Sequence, residues 1–258
     1  MNSGPPLGGS IYRGNFLSWQ EAEQTQSAVD RQKAWVGLED QISLYLRVRN
    51  GELAFVRDGV AFDRPEYPFA LIAFLLRLAI QQGGKLKVID FGGALGTTYY
   101  QTRTFLTSLS SLSWAVVELP QVVTAGQKHF TNEQLSFHLS IAEALACHGA
   151  DVVLISGVLQ YLAEPAKIVA EIRNLPIANI LLDRIAINEA DKSRTCLQLA
   201  ETADGEISWP VRLFNRQHLL GLFSPDFESI IEFDSYCDPP ESIDNTTILH
   251  KGFALERV

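Results

Sequence analysis

Five short runs between residues 87 and 184 constrain the fold of this chain more than anything else in it. They are KVIDF (87–91), WAVVE (114–118), SFHLS (136–140), DVVLIS (151–156) and NILLDR (179–184), and segments of helical pattern with short connections separate them. Four of the five are continuous apolar runs rather than alternating ones, the signature of a strand covered on both faces. Strand, helix, strand, helix in that rhythm predicts a parallel sheet with helices on either side. Beyond residue 184 the rhythm changes. RLFNRQHLLGLF (212–223) reads as a strand end and a helix, FESIIEFDSY (227–236) as a strand, and TILHKGFALERV (247–258) as another strand reached through a loop alone. Two successive strands with no helix between them cannot be parallel neighbours by a short connection, so the last is expected as an antiparallel hairpin partner. The fold class expected is α/β: a doubly wound, mostly parallel seven-stranded sheet with a C-terminal antiparallel hairpin strand.

Upstream of that region the chain is more polar. Residues 1 to about 15 are rich in Gly and Pro and are expected to be mobile. A helix is then announced by a capping box, Ser18 with Glu21 three residues on, and RQKAWVGLEDQISLYLRV (31–48) reads as a second. Residues 1–65 are therefore expected to form an N-terminal helical cap, and 66–258 the main domain. An insertion at about 185–213, just beyond the fifth strand, is the expected substrate lid.

Composition removes several functions. The chain has 258 residues and a net charge of -9, which disfavours a general binder of the phosphate backbone, since such proteins need a basic stripe to displace counterions. Its longest apolar stretch, FALIAFLLRLAI (69–80), carries Arg77 and is 12 residues long, short of the roughly 20 that span a bilayer. The N-terminus shows no basic segment followed by an apolar core. The expectation is a cytoplasmic protein with no membrane or nucleic-acid partner. Cys147, Cys196 and Cys237 lie far apart without a C-x-x-C pair, which suggests neither a disulfide framework nor a metal site. A homodimer would be ordinary, but nothing in the sequence demands one.

The functional signal is VIDFGGALGT (88–97), a strand running into a glycine-rich turn and then a helix. In open α/β sheets ligands bind beyond the carboxyl ends of the strands, and the first strand-to-helix turn is the usual place. The turn is not the G-x-G-x-x-G of dinucleotide binding, and it lacks the lysine of a phosphate-cradling loop. It resembles motif I of the Rossmann-like class I S-adenosylmethionine-dependent methyltransferases, in which a strand ending in an acid leads into G-x-G-x-G. Asp90, Gly92 and Gly96 match, Gly93 lies between them, and Ala94 replaces the middle glycine, narrowing the room for the methionine part.

That resemblance implies S-adenosylmethionine as cofactor and extends at fold level over about residues 70–258. Glu118, 22 residues after Gly96 at the tip of the second strand, falls where an acid accepts both ribose hydroxyls. Ser140, Ile141 and Ala142 stand at the position usually near the adenine. Ser156, Gly157, Gln160 and Tyr161 in SGVLQYL correspond to the loop beneath the cofactor, with helix packing the other reading of Gln160 and Tyr161. DFGGALGTTYYQ, WAVVELPQVV, VLQYL and LLDR together are also similar to a bacterial methyltransferase family of undefined substrate, often associated with surface-polysaccharide gene sets, whose pattern would include SWP at 208–210. Methyl transfer to a small-molecule or carbohydrate-like acceptor, at oxygen, is the expected activity.

For the acceptor, Asp183 at the end of the fifth strand is a candidate base or hydroxyl orienter, and Arg184 a candidate anchor for a carboxylate or phosphate. A structural Asp–Arg pair closing the sheet edge is the competing explanation. His218 is the alternative base. Tyr12, Trp19 and Tyr67 would serve either as an acceptor wall or as core. Two rival functions stay open: a methyltransferase-like fold that binds cofactor or partner without transfer, and an NAD-linked oxidoreductase.

Overall fold

The computed structural model describes residues 11–26, 37–202 and 205–258. The expected strands are all present, with shifted ends: β4 (Lys85–Phe91), β5 (Ser111–Val117), β6 (Leu135–His138), β7 (Val152–Ser156) and β8 (Asn179–Asn188). They pair in parallel in the order β6-β5-β4-β7-β8. The C-terminal strand β13 (Thr246–Arg257) lies antiparallel to β8 on one side and to β11 (Phe227–Asp234) on the other.

Continuous apolar runs place neighbouring residues on opposite faces of the sheet, and two separate cores result. Val88, Trp114, Val116, Phe137 and Leu154 point to one face. There they meet α2 (Leu38–Arg49), α3 (Phe69–Gln81), α4 (Thr97–Thr102) and α5 (Pro120–His129). Ile89, Ala115, Val153, Ile155 and Leu182 point to the other, against α6 (Ile141–His148), α7 (Pro165–Arg173) and α8 (Arg216–Phe223).

Two expectations are corrected. The main sheet has eleven strands, not seven, because the segment expected as an insertion is itself sheet. β8 runs on to Asn188, and β9 (Arg194–Thr202) and β10 (Gly205–Asn215) form a long antiparallel hairpin. β10 returns to pair in parallel with the end of β8. Asp204-Gly205 is a short-range hairpin signal that marks this in the sequence. The N-terminal segment is also not purely helical. Residues 11–16 form β1 (Ile11–Phe16), which covers the free edge of β9, and FVRDGVAF folds as the hairpin β2 (Phe55–Arg57) and β3 (Val60–Phe62). An open edge of the β9–β10 hairpin would expose a row of unpaired amides and carbonyls, which accounts for β1 being ordered against it.

The capping box holds. Ser18 Oγ accepts from the Glu21 amide at 3.1 Å at the start of α1 (Trp19–Thr25), while the Glu21 carboxylate reaches back to the Leu17 amide at 2.8 Å. The second expected helix is found as α2, its predicted first turns falling outside the described residues. Among the described residues no helix is long and apolar enough to cross a membrane.

Candidate active site

The glycine turn opens on a cavity of about 190 Å³ at the carboxyl ends of β4 and β7. Asp90, Gly92, Gly93 and Ala94 form its floor, Thr97 and Thr98 of α4 one side, Ser156, Gly157 and Val158 another. Its roof comes from the N-terminal segment: Gln41 and Tyr45 of α2, Arg57, Asp58 and Gly59 of the β2–β3 hairpin. Arg184 closes the remaining side.

The turn is glycine-rich because its own chain requires it. A Cβ on Gly92 would stand 2.4 Å from a Val158 methyl, and one on Gly93 would stand 2.5 Å from the Asp90 carboxylate. Gly92 and Gly96 also have φ of 75° and 96°, and Ala94 holds φ 50° without being glycine, a left-handed conformation costly to a residue with a Cβ. Asp58 and Arg184, also on the cavity wall, share that conformation at φ 52° and 55°. Asp58 takes it as the first central residue of a two-residue hairpin turn, where a positive φ is ordinary, so Ala94 and Arg184 are the strained backbones on this cavity, a pattern found at functional sites.

Asp90 is 1% exposed and accepts a hydrogen bond from Trp114 Nε1 at 2.9 Å. Burial pushes its pKa up to about 7, against the Trp114 bond and with the help of the Glu118 charge. Glu118 Oε1 accepts from the Ala94 amide at 3.2 Å, and Oε2 from the Leu119 amide at 2.8 Å. Burial raises its pKa as well, and the two amides oppose the rise.

Arg184 Nε and one terminal nitrogen donate to Asp238 at 2.8 and 3.0 Å, and the same terminal nitrogen donates to Asp58 at 2.8 Å. Burial would raise the pKa of Asp238, but the hydrogen bonds and charge of Arg184 outweigh it and hold the carboxyl well below the usual range. Arg184 thus pairs with Asp238 and Asp58, not with Asp183. Asp183 is buried beneath, accepting from Ser156 Oγ at 2.9 Å. Burial carries its pKa to about 6, against the Ser156 bond and the charge of Arg184.

The expected site residues therefore divide. Asp90, Gly92, Gly93, Ala94, Ser156 and Arg184 line one cavity. Glu118 and Asp183 touch it through Ala94 and Ser156. Gly96 caps α4, where a Cβ would stand 3.2 Å from Leu135. Gln160 is 2% exposed and donates to the Arg184 carbonyl at 2.9 Å, with its Oε1 unpartnered. Tyr161 donates to Gln198. Ile141 is packed in the core with Ile89 and Ala144. His218 lines a different cavity, beside Ser193. Tyr12 is buried core and Tyr67 packs edge-on to Phe105.

Gln41, Tyr45, Arg57, Asp58 and Gly59 are cavity residues that sequence reasoning does not reach. Asp58-Gly59 between FVR and VAF is a hairpin signal, but nothing local says that the turn folds over the glycine loop. The Arg184–Asp58 ion pair ties the turn there, and a hydrogen bond between Tyr45 Oη and Thr97 Oγ1 ties α2 beside it.

No protein-family model matches this chain, and no curated protein matches it. Among solved structures it is similar to an amino pentose methyltransferase of Micromonospora echinaspora with S-adenosylmethionine bound. That likeness has 12% identity and a TM-score of 0.47, over 83% of this chain and 97% of that chain. It is also similar to the 1,6-didemethyltoxoflavin-N1-methyltransferase of Burkholderia thailandensis with its substrate and S-adenosylhomocysteine bound. There the identity is 16% and the TM-score 0.46, over 91% of this chain and 92% of that chain. Likeness of this order assigns neither an activity nor a ligand.

Proposed function

We propose that this protein is an S-adenosylmethionine-dependent methyltransferase of the cytoplasm, acting at an oxygen of a small-molecule or carbohydrate-like acceptor. The observation that carries the reading is the joining of the two acidic strand tips through the glycine turn: Glu118 grips the Ala94 amide while Asp90 and Gly92–Ala94 floor the cavity. The donor set fits the cofactor. A carboxylate has about four acceptor positions, so Glu118, steadied by two amides, keeps room for a ribose diol. Asp90 supplies a carboxylate at the level of the turn for the cationic methionine end.

Bound there, the cofactor would supply an electrophilic methyl carbon to an acceptor lone pair. The protein's part is the acceptor's proton. Ser156 lines the cavity, and its Oγ donates to Asp183. A hydroxyl placed against Ser156 passes its proton to that oxygen as the serine proton moves to the Asp183 carboxylate. Asp183 thereby serves as a positioning residue behind Ser156, and Arg184 orders the roof. His218 has no part in this scheme.

The cavity is smaller than the roughly 300–1,000 Å³ of small-molecule sites, so the β2–β3 turn and α2 withdraw when ligand enters.

The test is calorimetric titration of the full chain with S-adenosylmethionine and S-adenosylhomocysteine, with Glu118→Gln, Glu118→Ala and NADH as controls. Binding that weakens at least about tenfold in Glu118→Ala, the loss of a charge-assisted pair, supports the pocket. Absence of binding to the wild type makes the turn purely architectural and ends the reading, and tighter NADH binding turns it toward an oxidoreductase.

A further inference from the structure

We propose that a second cavity, at the base of the β9–β10 hairpin, binds a small organic molecule through an oxyanion such as a phosphate. This inference does not rest on the methyltransferase reading. The cavity has a volume of about 380 Å³ and shares no lining residue with the one at the glycine turn.

Its chemistry centres on Arg212. Arg173, Arg184, Arg194 and Arg216 each pair with a carboxylate. Arg212 is half-buried on the cavity wall and has no carboxylate within ion-pair distance among the described residues. One terminal nitrogen donates to the Ala163 carbonyl at 3.2 Å, and the guanidinium lies 5.8 Å from the Trp19 ring. Its Nε is buried with no acceptor. Burial, with no opposing charge, lowers its pKa. A half-buried guanidinium without a counter-ion is incompletely solvated, and an anion in the cavity would supply the missing counter-charge.

The surrounding groups suit an anion. Ser193 Oγ accepts the Asn215 amide at 2.9 Å and lies against His218 Nδ1. Lys192 adds a second full positive charge. Asp191 also lines the cavity and opposes an anion, so the fixed charge of the wall is two cations against one carboxylate. Phe16 and Leu17, the latter 98% exposed, border the same space and offer apolar contact to the body of a ligand.

The experiment titrates the full chain with phenyl phosphate, inorganic phosphate and sodium chloride at matched ionic strength. It is repeated on Arg212→Gln, on Lys192→Gln, which changes an exposed residue, and on Leu17→Ser. Phenyl phosphate should bind more tightly than inorganic phosphate. Both should weaken at least about tenfold in Arg212→Gln and several-fold in Lys192→Gln, as loss of a charge-assisted contact predicts. Leu17→Ser should remove the advantage of the phenyl group. Heats indistinguishable from chloride, or affinities unchanged in the folded Lys192→Gln protein, overturn the proposal. Should Arg212→Gln fail to fold, Lys192→Gln decides.

Discussion

Replacing Asp90 by Asn tests the electrostatics of the glycine turn without changing its shape. The carboxyl is 1% exposed, and burial carries its pKa from 3.8 to about 7. A carboxyl whose folded pKa lies above its unfolded one contributes full stability below pH 3.8 and loses it as the pH rises toward 7. In that window the unfolded chain releases the proton and the folded chain keeps it. At about 1.4 kcal/mol for each pH unit, the cost is about 2 kcal/mol at pH 5 and about 4 kcal/mol at pH 8. Asn keeps an oxygen to accept from Trp114 Nε1 and carries no charge. Asp90→Asn should therefore be more stable than the wild type, by a margin that widens by about 2 to 3 kcal/mol between pH 5 and pH 8.

Urea unfolding at the two pH values, followed by tryptophan fluorescence, measures that margin directly. A variant no more stable than wild type at pH 8, or a margin independent of pH, would show that Asp90 is ionised in the fold at ordinary pH. The same carboxyl bears on binding. A cationic ligand draws the proton from Asp90, so S-adenosylmethionine should bind more tightly from pH 6 to pH 8, S-adenosylhomocysteine less steeply so, and Asp90→Asn should flatten both.

Other outcomes follow from the same geometry. Asp183, with a pKa of about 6, should place an ascending limb near pH 6 in kcat/KM as it ionises, and Asp183→Asn and Ser156→Ala should both lower kcat, the former abolishing the limb. Arg184 links one sheltered and one exposed carboxylate: Asp238→Ala should cost about 3 kcal/mol in urea unfolding. Asp58→Ala, which removes a residue whose side chain is 66% exposed, should cost under about 1 kcal/mol yet speed ligand association measured by stopped flow. Gly92→Ala, with a Val158 methyl 2.4 Å from the new carbon and φ 75°, should cost about 2 kcal/mol or more, while Ala94→Gly should gain up to about 1 kcal/mol by relieving φ 50°.

Much of the sheet is legible in the sequence because a doubly covered strand leaves a blunt mark. VVLI and ILL can only be buried on both faces, and the five parallel strands follow from such runs. β9 and β10 leave a fainter one. CLQLA is buried along nearly its whole length and ISWPVRLF mixes buried with half-buried positions, but polar Gln198, Ser208 and Arg212 interrupt the apolar runs, and such a sequence is easily taken for a polar insertion. β1 is fainter still. IYRGNF is ordered by the edge of β9, nearly two hundred residues away, and no local propensity announces that pairing. The roof of the site is hidden for the same reason: Arg57 and Asp58 reach the glycine turn through tertiary packing and through Arg184, whose partners, Asp58 and Asp238, are distant in sequence.

The glycines themselves say less about function than their prominence suggests. Gly92 yields to Val158 and Gly93 to Asp90, contacts within the chain that would demand glycine with or without a ligand. A turn can keep its glycines after losing its activity, and Ala94 shows that the conformation survives even where a glycine is replaced. What a packing argument does not require is the expense around the turn. One carboxyl is held to a pKa of about 7 beneath it, another is tied to the turn's own amide, and the non-glycine backbone of Arg184 is strained beside it. Natural chains retain such costs where a site needs them. The carboxylates, rather than the glycines, are therefore where substitution separates a working cofactor pocket from an inherited fold.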